Sequence, residues 1–421
     1  MKIRTILLGI SAMLMLSSCG DFELLSKAKG KFSGGFGSET DPYIIKTPED
    51  LLLMREYSDR YFKLEADIDL ADQVWPKMDF SGHLNGNGHA ISNLTISHTG
   101  DTLGFVSILK GTIQNLTISG ININMGNANY IGGFAGYVDN GNIENCTLIL
   151  NDRSKILGNE YVGGIAGYIF KTGEENILEG NMVRTSSSGY LICGSYLVGG
   201  IAGYIEGKVE VINCHVNANI YAGTVAGGIV GQFYNGTTIA ACSFTGNLAG
   251  ASSIGGICGK RSTSGTNSFL GCKVDATFTI AEGDVGGVQG GADSYSYSRQ
   301  ANCIGCYVNG KIICDNDNAL NVSGFAESCL VEFCYSTMTS DHPNYYAFGV
   351  SADAKECASV APSPGDNYTS CDRSCTNIVE FMQSCYSEYA EYFNLTNTWT
   401  WAGYINNEFV NVQCPKLYWE L

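Results

Sequence analysis

The chain has 421 residues, 24 basic and 41 acidic side chains, and a formal net charge of −17. Only 15% of residues are charged, against roughly a quarter in an average soluble protein, while 53 are glycine and 44% are hydrophobic. This balance excludes a disordered acidic tail, which lacks apolar side chains. It also excludes a nucleic-acid partner, whose phosphates demand clustered Lys and Arg.

The N-terminus reads as an address. Lys2 and Arg4 precede an apolar run from Thr5 to Leu16, too short for a bilayer span of roughly 20 residues and suited to a secretory signal over residues 1–18. Leu16-Ser17-Ser18-Cys19 resembles the bacterial lipobox, in which the cysteine thiol is acylated, palmitate being one such chain, and becomes the first mature residue. Each buried methylene of an acyl chain contributes about 0.8 kcal/mol of membrane affinity. The expected location is the bacterial cell envelope, lipid-anchored at the outer membrane and surface-exposed. Asp21 and Glu23 resemble the acidic export tethers of Bacteroides-like bacteria, and residues 19–38, rich in Gly, Ser and Lys, read as a flexible tether.

Residues 39–100 read as an N-terminal cap with a first coil. Thr47-Pro48-Glu49-Asp50 combines a helix N-cap, a proline at the first turn and acids near the positive end of the helix dipole. The helix carries Leu51, Leu52, Met54 and Arg55, and strand-like YFKLEADIDL and FSGHLNGNGHAISNLTI follow.

A double glycine then recurs through residues 101–344: YIGGFAGYV from Tyr130, YVGGIAGYI from Tyr161, LVGGIAGYI from Leu197, VAGGIVGQF from Val225, SIGGICGKR from Ser253 and DVGGVQGGA from Asp284. Degenerate copies start at Leu103 and Val322, and the second glycines lie 28 to 37 residues apart. A second short segment follows each copy and forms one column of Leu116, Cys146, Cys214, Cys242, Cys272, Cys306 and Cys334, with Asn181 aligned in the poorer copy. Repeats of this period mean solenoids or propellers. Short β-branched runs bounded by Gly, Asn and Ser are strands, with two or three expected per repeat. The predicted fold is all-β, a right-handed parallel β-helix (β-solenoid), with coils stacked about 4.8 Å apart. Residues 345–421 read as an α+β cap, with Ile378, Met382, Cys385, Tyr389 and Phe393 at helical spacing and Trp399, Trp401, Tyr418 and Trp419 in short strands.

The units GGFAGYVDNGNIENC and GGIVGQFYNGTTIAAC, the leader GSETDPYIIKTPEDLLLMRE and the closing PKLYWEL resemble GLUG-motif repeats and their flanks. Such repeats occur in bacterial surface proteins, including regions flanking the catalytic part of IgA-cleaving metallopeptidases. The resemblance implies fold and location more than an activity, and this chain departs from it in carrying Cys where Ser is frequent.

Chemistry is sparse. In-register strands set Cys146, Cys214, Cys242, Cys272, Cys306 and Cys334 side by side as a structural ladder of buried thiols, since disulfides need a dihedral near 90°. Cys303 and Cys306, three apart in a strand, are expected on opposite faces. Cys371 and Cys375 are candidates for a crosslink. No His-Glu-x-x-His occurs, so a zinc peptidase is not expected. No metal, no cofactor and no catalytic residues are expected. Asp67 and Asp69 share a strand face, read as structural. Asp139 and Glu206 hold one repeat position, where Phe170 and Tyr234 stand in other coils. Tyr137, Tyr168 and Tyr204 recur after the last glycine of three coils. They form a sugar-stacking ladder if outward and core if inward, and the glycines leave that choice open. Tyr295 and Tyr297, in the 292–302 loop with Arg299, are a second candidate surface.

The expectation is a non-catalytic, lipid-anchored β-helix presenting an adhesive surface to a glycan or host surface protein. Its rivals are a carbohydrate-active enzyme, a polysaccharide lyase or hydrolase with paired carboxylates, and a structural spacer.

Overall fold

A computed structural model describes residues 30–349 apart from 174–176, 235, 262–266, 293–300, 316–318, 327–328 and 333, with short strand segments beyond 349. The expected signal peptide, Cys19, Tyr295, Tyr297, Cys371, Cys375 and the predicted helix after Thr376 lie outside the described residues.

One winding shows how the sequence folds. Tyr130–Gly132, Ala135–Asp139, Asn142–Glu144, Thr147–Leu150 and Lys155–Leu157 are consecutive strands. Tyr161–Gly163 then returns over Tyr130–Gly132 and pairs with it in parallel. The five strands of a coil define five faces, continued from coil to coil by parallel pairing, with the third face divided into a five-stranded and a seven-stranded sheet. The first face stacks nine strands and the second seven, while the fourth and fifth share one 16-stranded sheet. They share it because in later coils the two fuse into the eight-residue strands Ser243–Gly250, Lys273–Ile280 and Tyr307–Cys314. The structure is thus a parallel β-helix with five and later four strands per coil, more than the two or three expected. Corners within the coil interrupt runs of three to five residues, too short to be separated by composition.

Period-two alternation sends one side chain in two inward. On the fourth face this builds the buried column Ile91, Ile118, Leu148, Val183, Val216, Phe244, Val274 and Val308, each directly over the last. Each such side chain contributes roughly 1.5–3 kcal/mol of burial. Between the third and fourth faces the chain turns through a left-handed residue in coil after coil: Asn115, Asn145, Gly180, Asn213, Ala241, Gly271 and Gly305, with φ between 51° and 68°. Asparagine and glycine are the residues that enter this region most cheaply.

The first coil is covered by the expected helix, Pro48–Leu53. Asp50 N–H donates to Thr47 Oγ1 at 3.2 Å and Thr47 N–H donates to Asp50 Oδ2 at 3.3 Å, a reciprocal capping box. Leu51 and Met54 are buried under it. The end of the expected tether is docked rather than free: Phe32 is buried and stacks on Tyr43 with centroids 4.3 Å apart. At the far end the ladders run past residue 344, because Tyr345–Tyr346 pairs with Val322–Ser323 and Asp353–Lys355 pairs with Leu330–Glu332. Beyond them Trp399–Thr400 pairs antiparallel with Lys416–Leu417. Among the described residues no helix is long and apolar enough to cross a membrane.

Candidate ligand-binding groove

The double-glycine segment bends the coil outward. A Cβ on Gly136 would lie 2.7 Å from the Tyr130 carbonyl oxygen and 2.6 Å from the Leu103 nitrogen. Only glycine lets the second strand come that close to the backbone of the first. The two faces therefore meet in a concave corner on the outside of the β-helix, and the side chains flanking the glycines line it.

Tyr137, Tyr168 and Tyr204 all face outward into this corner, half-buried against one another. Tyr137 stacks on Tyr168 at 5.2 Å and Tyr168 meets Tyr204 at 5.0 Å, spacings set by the coil rise. Tyr130 and Tyr161 form a second column from the first face, stacked at 5.2 Å. The columns interlock edge-to-face, with Tyr130–Tyr137 at 5.9 Å, Tyr161–Tyr168 at 5.2 Å and Tyr161–Tyr204 at 5.6 Å. Sequence reasoning missed Tyr130 and Tyr161. The available signal was that the motif opens and closes on tyrosine, YIGGFAGY and YVGGIAGY, so an outward bend at the glycines brings both ends together.

Polar groups edge the rings. Asp139, Phe170, Glu206 and Tyr234 share one outward column. Lys110 Nζ lies 3.2 Å from Asp139 Oδ2, and the Tyr168 hydroxyl donates to Glu206. Burial, then Asp139 and Glu206, raises the Tyr137 pKa, while burial and the bond to Glu206 raise that of Tyr168. Burial also raises Tyr161. These phenols stay neutral hydrogen-bond donors across the physiological range. Further along the corner the rings give way to Gln232 and Lys260 on one side and to Leu197, Val225, Ser253, Asp284 and Asn321 on the other. Asn321 Nδ2 donates to Asp284 Oδ1 at 2.7 Å, and burial raises the Asp284 pKa.

The cysteine column lies inside. Cys146, Cys214, Cys242, Cys272, Cys306 and Cys334 are fully buried free thiols. Cys146, Cys214, Cys242, Cys272 and Cys306 each follow a left-handed corner, which leaves a backbone N–H off the strand ladders. The next coil supplies the partners. Cys214 N–H donates to Cys242 Sγ at 3.4 Å and Cys306 N–H to Cys334 Sγ at 3.2 Å. Sγ of Cys242, Cys272, Cys306 and Cys334 donates to the carbonyls of Val211, Ile239, Phe269 and Cys303 at 3.3–3.5 Å. Asn181 does the same with its amide, accepting from Cys146 N–H at 3.1 Å and donating to the Ile143 carbonyl at 2.8 Å. Burial pushes the Cys146 thiol up to about 12. Cys303 and Cys306 are both interior, not on opposite faces, because Gly305 at φ +63° resets the alternation between them.

Asp67 and Asp69 are exposed and tie neighbouring coils. Asp67 Oδ1 accepts from Ala90 N–H at 2.9 Å and meets His89 Nδ1 at 3.1 Å, while Asp69 Oδ1 accepts from Ala71 N–H and Asn93 Nδ2, both at 2.9 Å. These bonds to the carboxylates lower both pKa values. Among the described residues, no group of three or more His, Cys, Asp or Glu is placed to hold a metal ion.

The fold and the groove define a repeat protein of the parallel β-helix class with an external aromatic corner. The GLUG motif matches residues 127–149, the coil that carries Tyr130, Tyr137 and Cys146, so the resemblance read from the sequence holds at that coil. The chain is 32% identical over 105 residues to a candidate Gly-rich membrane protein of Evansella cellulosilytica, across 21% of this chain and 12% of that protein. It is 31% identical over 133 residues to halomucin of Haloquadratum walsbyi, across 27% of this chain and 1% of that protein. The chain thus spans a small fraction of the length of these relatives. A solved structure, a candidate immunoglobulin A1 protease from Bacteroides ovatus, is 19% identical with a TM-score of 0.43, covering 77% of this chain and 88% of that one.

Proposed function

We propose that the chain is a cell-envelope binding protein whose tyrosine groove takes a glycan chain, with acylation of Cys19 holding it at the membrane. The observation that carries the reading is the five-ring corner of Tyr130, Tyr137, Tyr161, Tyr168 and Tyr204, outward-facing and stacked at the coil spacing. Pyranose rings present C–H faces to aromatic rings, and their hydroxyls suit the neutral phenols and the Asp139 and Glu206 carboxylates. Several rings in a row bind several sugar units, so weak contacts add along one chain. The membrane name of the Evansella relative and the bacterial surface setting of GLUG repeats support an envelope location.

A glycan array with the soluble chain lacking residues 1–19 tests the groove: binding to oligosaccharides that disappears in Tyr137→Ala/Tyr168→Ala is expected, and no binding on the array would leave a spacer as the better reading. For the anchor, Cys19→Ala moves the protein out of the membrane fraction; retention there would count against lipidation. A second reading rests on Asp139 and Glu206, two coils apart and so about 10 Å along the axis, close to the spacing of inverting glycosidase carboxylates. Turnover of a polysaccharide abolished by Asp139→Asn would favour that enzyme.

A further inference from the structure

The third face carries a separate concavity at the N-terminal end of the stack. It is a trough of about 260 Å³ lined by outward side chains of three successive coils, Tyr61 and Lys63, His83 and Asn85, Thr112 and Gln114, and closed at one end by Glu39 and Pro42. Its two walls differ. One is the stacked pair Tyr61–His83, with centroids 4.5 Å apart and planes at 12°. The other is the column of Lys63, Asn85 and Gln114.

The polar groups of this trough converge on one concavity with much of their hydrogen-bonding capacity unused. Several outward amides on the other faces are tied down: Asn87 Nδ2 donates to the Leu64 carbonyl at 3.2 Å, Asn93 Nδ2 to Asp69 at 2.9 Å and Asn159 Nδ2 to Asn129 at 2.9 Å. In the trough, Asn85 Oδ1 accepts from Asn87 N–H at 2.8 Å and Asn115 Nδ2 at 3.3 Å, which fixes the amide and leaves its Nδ2 hydrogens without a protein partner among the described residues. The Gln114 amide, the Thr112 hydroxyl and the Glu39 carboxylate likewise have none there. Lys63, by contrast, lies 3.9 Å from Glu65. Nor is the end wall loose. The loop carrying Glu39 is closed by reciprocal backbone bonds between Ser38 and Asp41 at 3.2 Å and joined to the trough by Tyr61 N–H donating to the Gly37 carbonyl at 3.2 Å.

We propose that this trough is a binding site for one neutral pyranose residue, distinct from the tyrosine groove and not dependent on it. An aromatic wall faces a set that mixes donors and acceptors, and sugar hydroxyls do both. A purely apolar ligand would strip water from Asn85, Gln114 and Thr112 without replacing those bonds. An anion would meet the Glu39 carboxylate with the nearest ammonium already drawn to Glu65.

The test is calorimetric titration of the chain with the methyl glycosides of glucose, galactose, mannose and N-acetylglucosamine. At least one is expected to bind saturably at millimolar affinity, to be weakened tenfold or more by Tyr61→Ala and by Gln114→Ala, and to be unchanged by Tyr168→Ala in the groove. Circular dichroism melts report the folding of each variant. Gln114→Ala, which removes only an outward amide, carries the test if Tyr61→Ala unfolds. The site is refuted if none of the four glycosides saturates the wild type, or if Gln114→Ala binds as the wild type does. Loss of binding in Tyr168→Ala would instead assign the sugar to the groove.

Discussion

Two columns of identical residues run along this β-helix with the same period, one of cysteines inside and one of tyrosines outside. The cysteines answer a demand made by the backbone. The left-handed corner strands an N–H, and the thiol of the neighbouring coil accepts from it while its own S–H reaches back to a strand carbonyl. Asn181 fills the same role with unrelated chemistry, which shows that the column selects for a small group that can donate and accept. The tyrosines meet no such demand. The fold requires glycine at the bend but nothing aromatic beside it, and in the next two coils the equivalent positions hold Gln232 and Lys260. Repetition alone is therefore no sign of function; repetition without a structural debtor is.

Experiments can break this contrast. The largest effect is expected for Cys242→Leu, which orphans the Cys214 N–H in a dry interior and forces a larger side chain into the column. At roughly 1–3 kcal/mol for the unpaired N–H and roughly 1–3 kcal/mol for overpacking, a loss of about 2–6 kcal/mol should appear in denaturant unfolding, while Cys242→Ser should stay within about 1 kcal/mol. Equal losses in the two variants would mean that packing volume, not the paired hydrogen bonds, explains the column.

Next comes acid. His215 sits beside the Asn213 corner, with Nδ1 2.9 Å from Ser243 Oγ and Nε2 3.0 Å from Asn213 Oδ1, and burial lowers its pKa to about 4. A folded value below the unfolded 6.5 means that the neutral ring stabilises the fold above pH 6.5. That contribution, about 3 kcal/mol at most, is lost as the pH falls towards 4. Unfolding free energies measured from pH 7 to 4 should fall in the wild type and stay flatter in His215→Gln.

Smaller still is the expected change at the outside column. Tyr168→Ala should weaken a groove-bound glycan at least tenfold, about 1.4 kcal/mol, while costing about 1 kcal/mol of stability from lost ring contacts. A larger stability loss with unchanged binding would make the tyrosines structural after all. The smallest effect concerns the thiols themselves. With Cys146 held up near 12, that thiol in native protein at pH 8 should react negligibly with iodoacetamide, as followed by peptide mass spectrometry, and its contribution to stability should decline only above about pH 9, where the unfolded thiol ionises first.

Much of this was legible in the chain. The spacing of the double glycines gave the coil, and the short segments carrying one cysteine at a fixed place gave the interior column, because both follow from backbone geometry repeated in coil after coil. The Thr47 cap was legible for the same reason, being local. What the sequence hid depends on direction. Whether Tyr137 faces in or out is decided by the bend at Gly136, and a glycine announces freedom without saying which way the chain will use it. The same blindness placed Cys303 and Cys306 on opposite faces, since alternation cannot be counted through Gly305. The N-terminal trough was invisible because its walls come from three coils whose sequences share no pattern.

The ladders bond each winding only to the ones directly above and below it. Such an object has no central keystone, and its cohesion is a sum of nearest-neighbour terms. Tension applied to the C-terminal end should strip it in even steps, winding after winding, and each released winding could rejoin the remaining template without the whole chain having to fold again.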